Sequence, residues 1–307
     1  MTTKVANIGE INIGNIAQPP FVRLPDPTTL FERRAQRLIA LAPANPLSDY
    51  LEFIAALVQA QAEVLRSLPD ATLPGADQIA FFHEHKLPLL DRQTWERDPS
   101  WHAALDGICA SLRGGAGPEA ALAALDGIAG LDAAAREALA EQVLGPDAVS
   151  ADPALACFVH AALQVHWTRM AARLDPATVQ AIEPVPACPV CGSMPIASIV
   201  HAEGSLQGVR FLVCGLCNTE WHSVRIKCAN CQSTKGIAYQ HIAEHGGGVK
   251  AETCDECRTY TKILYRDKEP QGEPFADDLA SVALDILVGE AGWARAMPNP
   301  FLVPATD

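Results

Sequence analysis

Nothing in this sequence is long and apolar enough to cross a bilayer; its longest apolar stretches are helix-length and broken by charge. The amino-terminal MTTKVANIGEINIGNIAQPP has neither an apolar core nor a small-residue cleavage site, so no secretory signal is read there. Together these absences give the expectation of a cytoplasmic protein. Cations are scarce as well. Lys and Arg number 23 against 36 Asp and Glu, a formal net charge of −13 over 307 residues. Binding a polyphosphate or an anionic lipid surface draws mainly on Lys and Arg, so the expectation is no nucleic acid and no membrane among the partners. Missing too are a nucleophile elbow, a P-loop, a GxGxxG turn and an HExxH pair. No catalytic residue is assigned, and the chain is read as not an enzyme.

What is present divides the chain in two. Hydrophobic residues make up 49% of it, enough for an ordinary core. From Glu183 to Lys268 there are nine Lys/Arg against eight Asp/Glu; elsewhere there are fourteen against twenty-eight. The acidity therefore lies outside that segment. Residues 1–27 are rich in Pro, Gly and Asn and read as an irregular N-terminal arm. Residues 28–183 read as a helical domain. Asp26, Pro27, Thr28 and Thr29 precede LFERRAQRLIALA, and Ser48 or Asp49 precedes YLEFIAALVQAQAEVLRSL, both with apolar residues at helical intervals. The stretch 69–88 is broken by Pro and Gly. Further helical patterns cover roughly 92–113, 118–128, 131–143 and 152–173, with turns expected at 114–118 and 145–153. After a short helix or turn ending at Pro184 and Pro186, residues 184–226 and 227–270 become short β-rich runs between turn signals, with hairpin reversals at 205–208 and 245–248. Residues 271–307 return to helical period over Asp277–Trp293, a C-terminal helix and tail expected to pack on the helical domain or cap the β region.

The β-rich segment carries the informative pattern. Cys188, Cys191, Cys214 and Cys217 form two CxxC pairs separated by twenty-two residues, and Cys228, Cys231, Cys254 and Cys257 repeat the arrangement forty residues later. In a reducing compartment such pairs are read as metal ligands rather than disulfides. A CxxC turn presents two thiolates from one tight loop, and two turns surround one ion with four sulfurs at ~2.3 Å. The expected fold is therefore a helical N-terminal domain followed by two tandem rubredoxin-like or zinc-ribbon modules and a C-terminal helix. Each module is too small to bury a core alone, so its ion substitutes for missing hydrophobic mass. The metal is zinc on the ribbon precedent or iron on the rubredoxin one. An interleaved ligand set remains an alternative to one ion per repeat. Gly192 and Asn218 follow two of the knuckles and tolerate positive φ; Gln232 and Arg258 in the second repeat lack that cue.

Other candidates have plainer readings. Cys109 and Cys157 lie in helical patterns and read as buried apolar side chains. His83 and His85 flank Glu84 like a ligand pair, but i and i+2 do not share a helical face. His160 and His166 are assigned to core or surface, and His201, His241 and His245 to strands or turns of the ribbons. His222, beside Trp221, is weighed as a donor to a sulfur. Trp95, Trp101, Trp167 and Trp293 read as core or interface aromatics.

The motifs CPVCG, CGLCN, CANC and CDEC, with RLPDPTTLFERRAQRLIALA, NPLSDYLEFIAALVQAQ and FADDLASVALDILVGEAGW, resemble FdhE, the formate dehydrogenase accessory proteins, over most of the chain. The resemblance implies a cytoplasmic accessory factor that acts on the catalytic subunit of formate dehydrogenase. It also implies two rubredoxin-like sites able to hold iron, with the eight cysteines above as ligands, and supplies no catalytic residue. Two other functions compete. A nucleic-acid-binding ribbon protein would use Arg210, Arg225, Lys227, Lys235, Lys250, Arg258 and Lys262 as one basic face. A rubredoxin-like electron carrier would leave the helical half unexplained.

Overall fold

The computed structural model describes residues 19–145, 151–182, 186–243 and 247–303. The first part of the expected arm, most of the turn at 145–153, Pro184 and the first half of the reversal at 245–248, with His245, lie outside the described residues. Seven helices precede the first ribbon: α1 (Leu30–Leu41), α2 (Ser48–Ser67), α3 (Ala76–His85), α4 (Ser100–Leu112), α5 (Glu119–Ala129), α6 (Ala133–Leu144) and α7 (Pro153–Ala171). Their starts have local causes. The Asp26 carboxylate accepts from the Thr28 N–H at 3.0 Å and from the Thr28 and Thr29 hydroxyls, ordering the entry to α1. Those bonds lower its pKa. Asp152 caps α7 by accepting from the Ala154 and Leu155 N–H groups, with Pro153 at the first helical position. Helix α7 is the axis of the body. It is buried on nearly every side, from Cys157 to Ala171, and packs against α2, α4, α5 and α6.

Two helical expectations change. The stretch 69–88 contains α3, which buries no residue and so lacks the apolar stripe that marks a packed helix. The pattern at 92–113 is helical only from Ser100, because Asp98 accepts from the Ser100 N–H at 2.9 Å and Pro99 sets the boundary.

Eight strands form one sheet: β1 (Val22–Arg23), β2 (Pro195–Val200), β3 (Arg210–Cys214), β4 (Glu220–His222), β5 (Ile237–Gln240), β6 (Val249–Cys254), β7 (Thr259–Tyr265) and β8 (Ala294–Arg295). The order is β1-β4-β3-β2-β7-β6-β5, with β8 beside β7. Within each ribbon the strands are antiparallel; the ribbons join by parallel pairing of Ala197–Val200 in β2 with Lys262–Tyr265 in β7. The arm read as irregular contributes β1, whose Val22 pairs with Trp221; two residues are too few to leave a period-2 signal.

The C-terminal helix is two helices, α8 (Pro274–Ala280) and α9 (Val282–Glu290), broken at Ser281. A side chain of β7 meets the chain at that break. The Lys262 ammonium, 2% exposed, donates to the Asp278 and Ser281 carbonyls at 2.8 and 3.0 Å. Each carbonyl also accepts a backbone N–H, from Ser281 and Leu284 respectively, so the ammonium adds a second donor to both at the break. Helix α8 packs on α1, β2 and β7, and α9 packs on β6, so the segment both returns to the body and caps the sheet.

One hydrophobic core runs through the body and into the first ribbon, including Leu38, Ile54, Leu163, Val190, Ile199 and Leu216. A small second cluster, Ala251, Tyr260, Leu284 and Val288, lies under the second ribbon.

Candidate metal centres

The four CxxC turns share one backbone geometry. The N–H of the first cysteine donates to the carbonyl five residues on in Cys188→Ser193, Cys214→Thr219 and Cys228→Ser233, at 2.8 to 3.0 Å. The residue four after the first cysteine has positive φ in every case: 74° at Gly192, 58° at Asn218, 61° at Gln232 and 55° at Arg258. The conformation expected from Gly192 and Asn218 is thus present in the second ribbon with residues that carry no left-handed preference. The knuckle enforces it through its own hydrogen bonds.

These turns bring Cys188, Cys191, Cys214 and Cys217 together, and separately Cys228, Cys231, Cys254 and Cys257, the sulfurs of each group lying within 4.8 Å of one another. In the first group the Cys188–Cys217 and Cys191–Cys214 sulfurs are 3.5 and 3.3 Å apart; in the second the Cys228–Cys257 and Cys231–Cys254 sulfurs are 3.8 and 3.7 Å apart. A tetrahedron of sulfurs at ~2.3 Å from a central ion has edges of ~3.8 Å. The donor set and its spacing therefore fit, and the two groups could hold two metal ions, with zinc and iron both suited to sulfur-only ligation. Convergence of the thiols splits their acidities: burial and neighbouring thiols push Cys188 and Cys217 well above the ordinary thiol range, and burial pushes Cys228 up to about 12. Burial opposes ionisation of Cys191, yet hydrogen bonds from Cys188, Cys214, Cys217 and Ser193 hold it well below the ordinary thiol range. Cys257 comes down to about 6 against its partial burial, through the Thr259 hydroxyl and N–H and neighbouring thiols. Cys109 and Cys157, in the helical body, are pushed by burial up to about 11 and about 12.

The first site is built into the body. All four of its cysteines are fully buried. The Leu90 and Arg92 N–H groups donate to the Val190 and Cys191 carbonyls at 2.7 and 3.0 Å, lacing the segment before α4 onto the first knuckle. A side chain at Gly192 would press on Asp91 and Pro88, and one at Gly215 would come within 2.6 Å of Ile196. The Gly215 carbonyl accepts from Gln164 at 2.8 Å and faces His160 Nε2 at 3.2 Å, both from α7. Asn218 accepts from Arg34 and donates to Thr168, each at 2.8 Å, while Arg34 also donates to Glu273 and Gln164 at 3.0 Å. Burial pulls the Arg34 guanidinium down from its ordinary range, and the Glu273 carboxylate opposes that. Helices α1, α7 and α8 thus meet at one knuckle.

The second site is open. Cys231 is exposed and Cys257 half-buried. Its support comes from the Asn230 and Cys231 N–H groups on the Cys228 sulfur, and from the Thr259 hydroxyl 3.1 Å from the Cys257 sulfur.

The remaining histidines take other partners. His83 meets the Thr178 carbonyl at 2.6 Å and His85 stacks on Phe81, so the two do not converge. His166 is buried beside Arg169. His201 pairs with Glu220. His222 presents its ring to Phe211 and hydrogen-bonds no sulfur among the described residues. Trp101 and Trp167 are core residues, and Trp95 and Trp293 are partly buried at its margin. Of the cations that could have made one basic face, Arg210 is buried against Glu252 and Lys262 against Asp278 and Asp285. Sequence reasoning missed Arg34, Gln164, Asn218 and His160 as supports of the first site; the run Cys-Gly-Leu-Cys, with a glycine and an apolar residue inside the knuckle, was the available signal that something packs there.

No described helix is long and apolar enough to cross a membrane. Three family descriptions match consecutive stretches: FdhE, N-terminal, over residues 19–183, FdhE, central domain, over 187–225, and FdhE, C-terminal domain, over 226–302. A protein FdhE homolog of Edwardsiella ictaluri is 44% identical, covering 92% of this chain and 91% of the relative. One from Stutzerimonas stutzeri is 39% identical over 95% of each chain. The crystal structure of the FdhE protein from Pseudomonas aeruginosa superposes with a TM-score of 0.84 at 34% identity, over 94% of this chain and all of that one. On the agreement of sequence and fold, this chain belongs to the FdhE family.

Proposed function

We propose that this protein is a non-enzymatic accessory factor in the cytoplasm, that it binds the catalytic subunit of formate dehydrogenase, and that it is needed to form the active enzyme. Membership of the FdhE family over residues 19–302 carries the reading. The acidic helical body and the ribbon pair would supply the docking surface. The eight cysteines would bind two ions, one per repeat, with iron as the family expectation and zinc as the ribbon default. Bound at either site, the ion ties two knuckles together; bound iron would add a one-electron couple.

The test is co-purification with the catalytic subunit under anaerobic conditions, with metal quantified in the same preparation. The expected result is a complex and two ions per chain. Undiminished formate dehydrogenase activity in cells lacking the protein would sink the accessory role, and absence of stoichiometric metal would sink the metal reading. An electron-transfer role is the second reading, favoured by the exposure of Cys231, which lets a donor approach the second site. A purified protein that holds only zinc, or whose iron does not cycle reversibly, excludes it.

A further inference from the structure

The cation in GVRFLV belongs to the first ribbon but works in the second. Arg210 begins β3 and is 1% exposed. Its guanidinium donates to the Lys227 carbonyl at 3.0 Å and to Glu252 at 2.9 Å. Lys227 is the residue immediately before Cys228. Glu252 lies on β6, two residues before Cys254. One side chain therefore touches the chain just ahead of both knuckles of the second site.

The backbone of the same residue completes the brace. The Ser223 N–H donates to the Arg210 carbonyl at 3.1 Å, so Arg210 holds both ends of the exposed loop between the ribbons. Ile226 in that loop is 67% exposed, and nothing apolar pins it. Tyr239 reinforces the tie, its one hydroxyl proton within reach of the Arg225 carbonyl at 3.0 Å and of Glu252 at 3.1 Å. The arrangement is costly. The ion pair is buried, and the Arg210 Nε finds no partner among the described residues. Buried pairs of this kind add little net stability over an apolar replacement, so stability alone is a poor reason for the arginine. What an apolar side chain cannot supply is a two-pronged donor that fixes the spacing of two backbone segments.

We infer that Arg210 of the first ribbon is a positioning residue for the second cysteine site, setting the separation of its two knuckles through Lys227 and Glu252. The inference rests on the reading that this site holds a metal. It predicts that the second ion's lifetime depends on a residue of the first ribbon, beyond any effect on the fold.

The experiment uses the full-length protein loaded with Zn²⁺ or Fe²⁺. Release to a chromogenic chelator is followed alongside alkylation of each cysteine by mass spectrometry, and far-UV circular dichroism reports the fold. Arg210→Met should release the second ion roughly 10–100-fold faster, the usual size of outer-shell effects, with the first site unchanged. The double variant Arg210→Met/Glu252→Met removes the buried unpaired charge and should recover the thermal transition while release stays fast. Arg210→Lys keeps the charge but serves one acceptor at a time; it should fold even where the others do not, and show the same site-selective release. Wild-type release rates in the double variant, or equal acceleration at both sites in Arg210→Lys, would overturn the positioning role. Failure of the wild type to hold a second ion would instead overturn the metal reading itself.

Discussion

The two ribbons have the same ligand spacing and the same left-handed knuckle exits, yet one is sunk in the protein and the other stands on it. The difference is written in the residues inside the knuckles. Val190 and Leu216, enclosed by the first pair, are fully buried, and Gly215 allows Ile196 to approach. In the second repeat these interior positions are occupied by Asp255 and Glu256, which face water, by half-buried Asn230, whose amide donates to the Thr259 hydroxyl at 3.3 Å, and by buried Ala229. Four thiols at the right separation make a metal cage either way. What surrounds the cage decides how many other parts of the molecule depend on it. The first cage is wired to α1, α7 and α8 through Arg34, Gln164 and Asn218; the second sits over a four-residue apolar cluster.

The sharpest way to break the comparison is to remove one ligand from each site. Cys188→Ser should abolish the first ion and open a core shared with the helical body. Metal-linked folding energies of ~10–16 kcal/mol are as large as the ~5–15 kcal/mol stability of a typical domain, so the main cooperative transition should fall by more than about 10 °C or disappear. Cys228→Ser should lose the second ion and leave that transition within about 5 °C of wild type. Circular dichroism melts with metal analysis on both variants decide the matter. Equal losses would mean that the sites are energetically alike despite their burial.

A finer contrast uses the knuckle exits. Asn218→Gly keeps the positive φ but deletes two buried hydrogen bonds, one of them to a charged guanidinium. The expected cost is about 2–4 kcal/mol in denaturant unfolding. Gln232→Gly at the equivalent position removes a side chain whose carboxamide donates to the Cys228 carbonyl at 3.1 Å in a half-exposed setting. Relief of left-handed strain offsets that loss, so the change should stay within about 1 kcal/mol of wild type. Comparable costs at the two positions would show that the knuckle, and not its surroundings, carries the energy.

Much of this was legible in the linear chain, for physical reasons that also mark where legibility ends. The cysteines declare themselves because ligand spacing is a local, repeated constraint. Helices α1, α2, α5, α6 and α7 fall within the stretches read as helical, α1 behind the start signal at Asp26 and α2 behind the one at Ser48 or Asp49. Helix α3 packs only partly buried Ile79 and Phe82 on the core and leaves no stripe, and Lys262, which meets the chain at the Ser281 break, approaches from another element. The supports of both sites are of this second kind. Arg34 meets Asn218 and Glu273 across 184 and 239 residues, and Arg210 meets Glu252 across 42. Such pairings leave no spacing to read. The left-handed exits at Gln232 and Arg258 hide for a related reason: backbone hydrogen bonds impose a conformation that those side chains do not advertise.

The smallest expected effect concerns pH, and it runs against the order of burial. Behind the first site stands His160, facing the Gly215 carbonyl; the second site has no such histidine among its described supports. Burial lowers the His160 pKa from 6.5 to about 4, with the Gly215 hydrogen bond opposing. The folded protein thus keeps this ring neutral where the unfolded chain would protonate it. Between about pH 4 and 6.5 the unfolded state binds more protons, so this residue makes stability fall as pH falls through that window, while above 6.5 it contributes no slope. At pH 5.5 the expected loss is about 1 kcal/mol relative to pH 7.5. His160→Gln, which keeps a donor but cannot titrate, should lack that increment. Denaturant unfolding of both proteins at the two pH values isolates the term, since proton competition at the thiols is common to both. The same slope in wild type and variant would show that the imidazole is not held neutral and that the deeper site has no added sensitivity to acid.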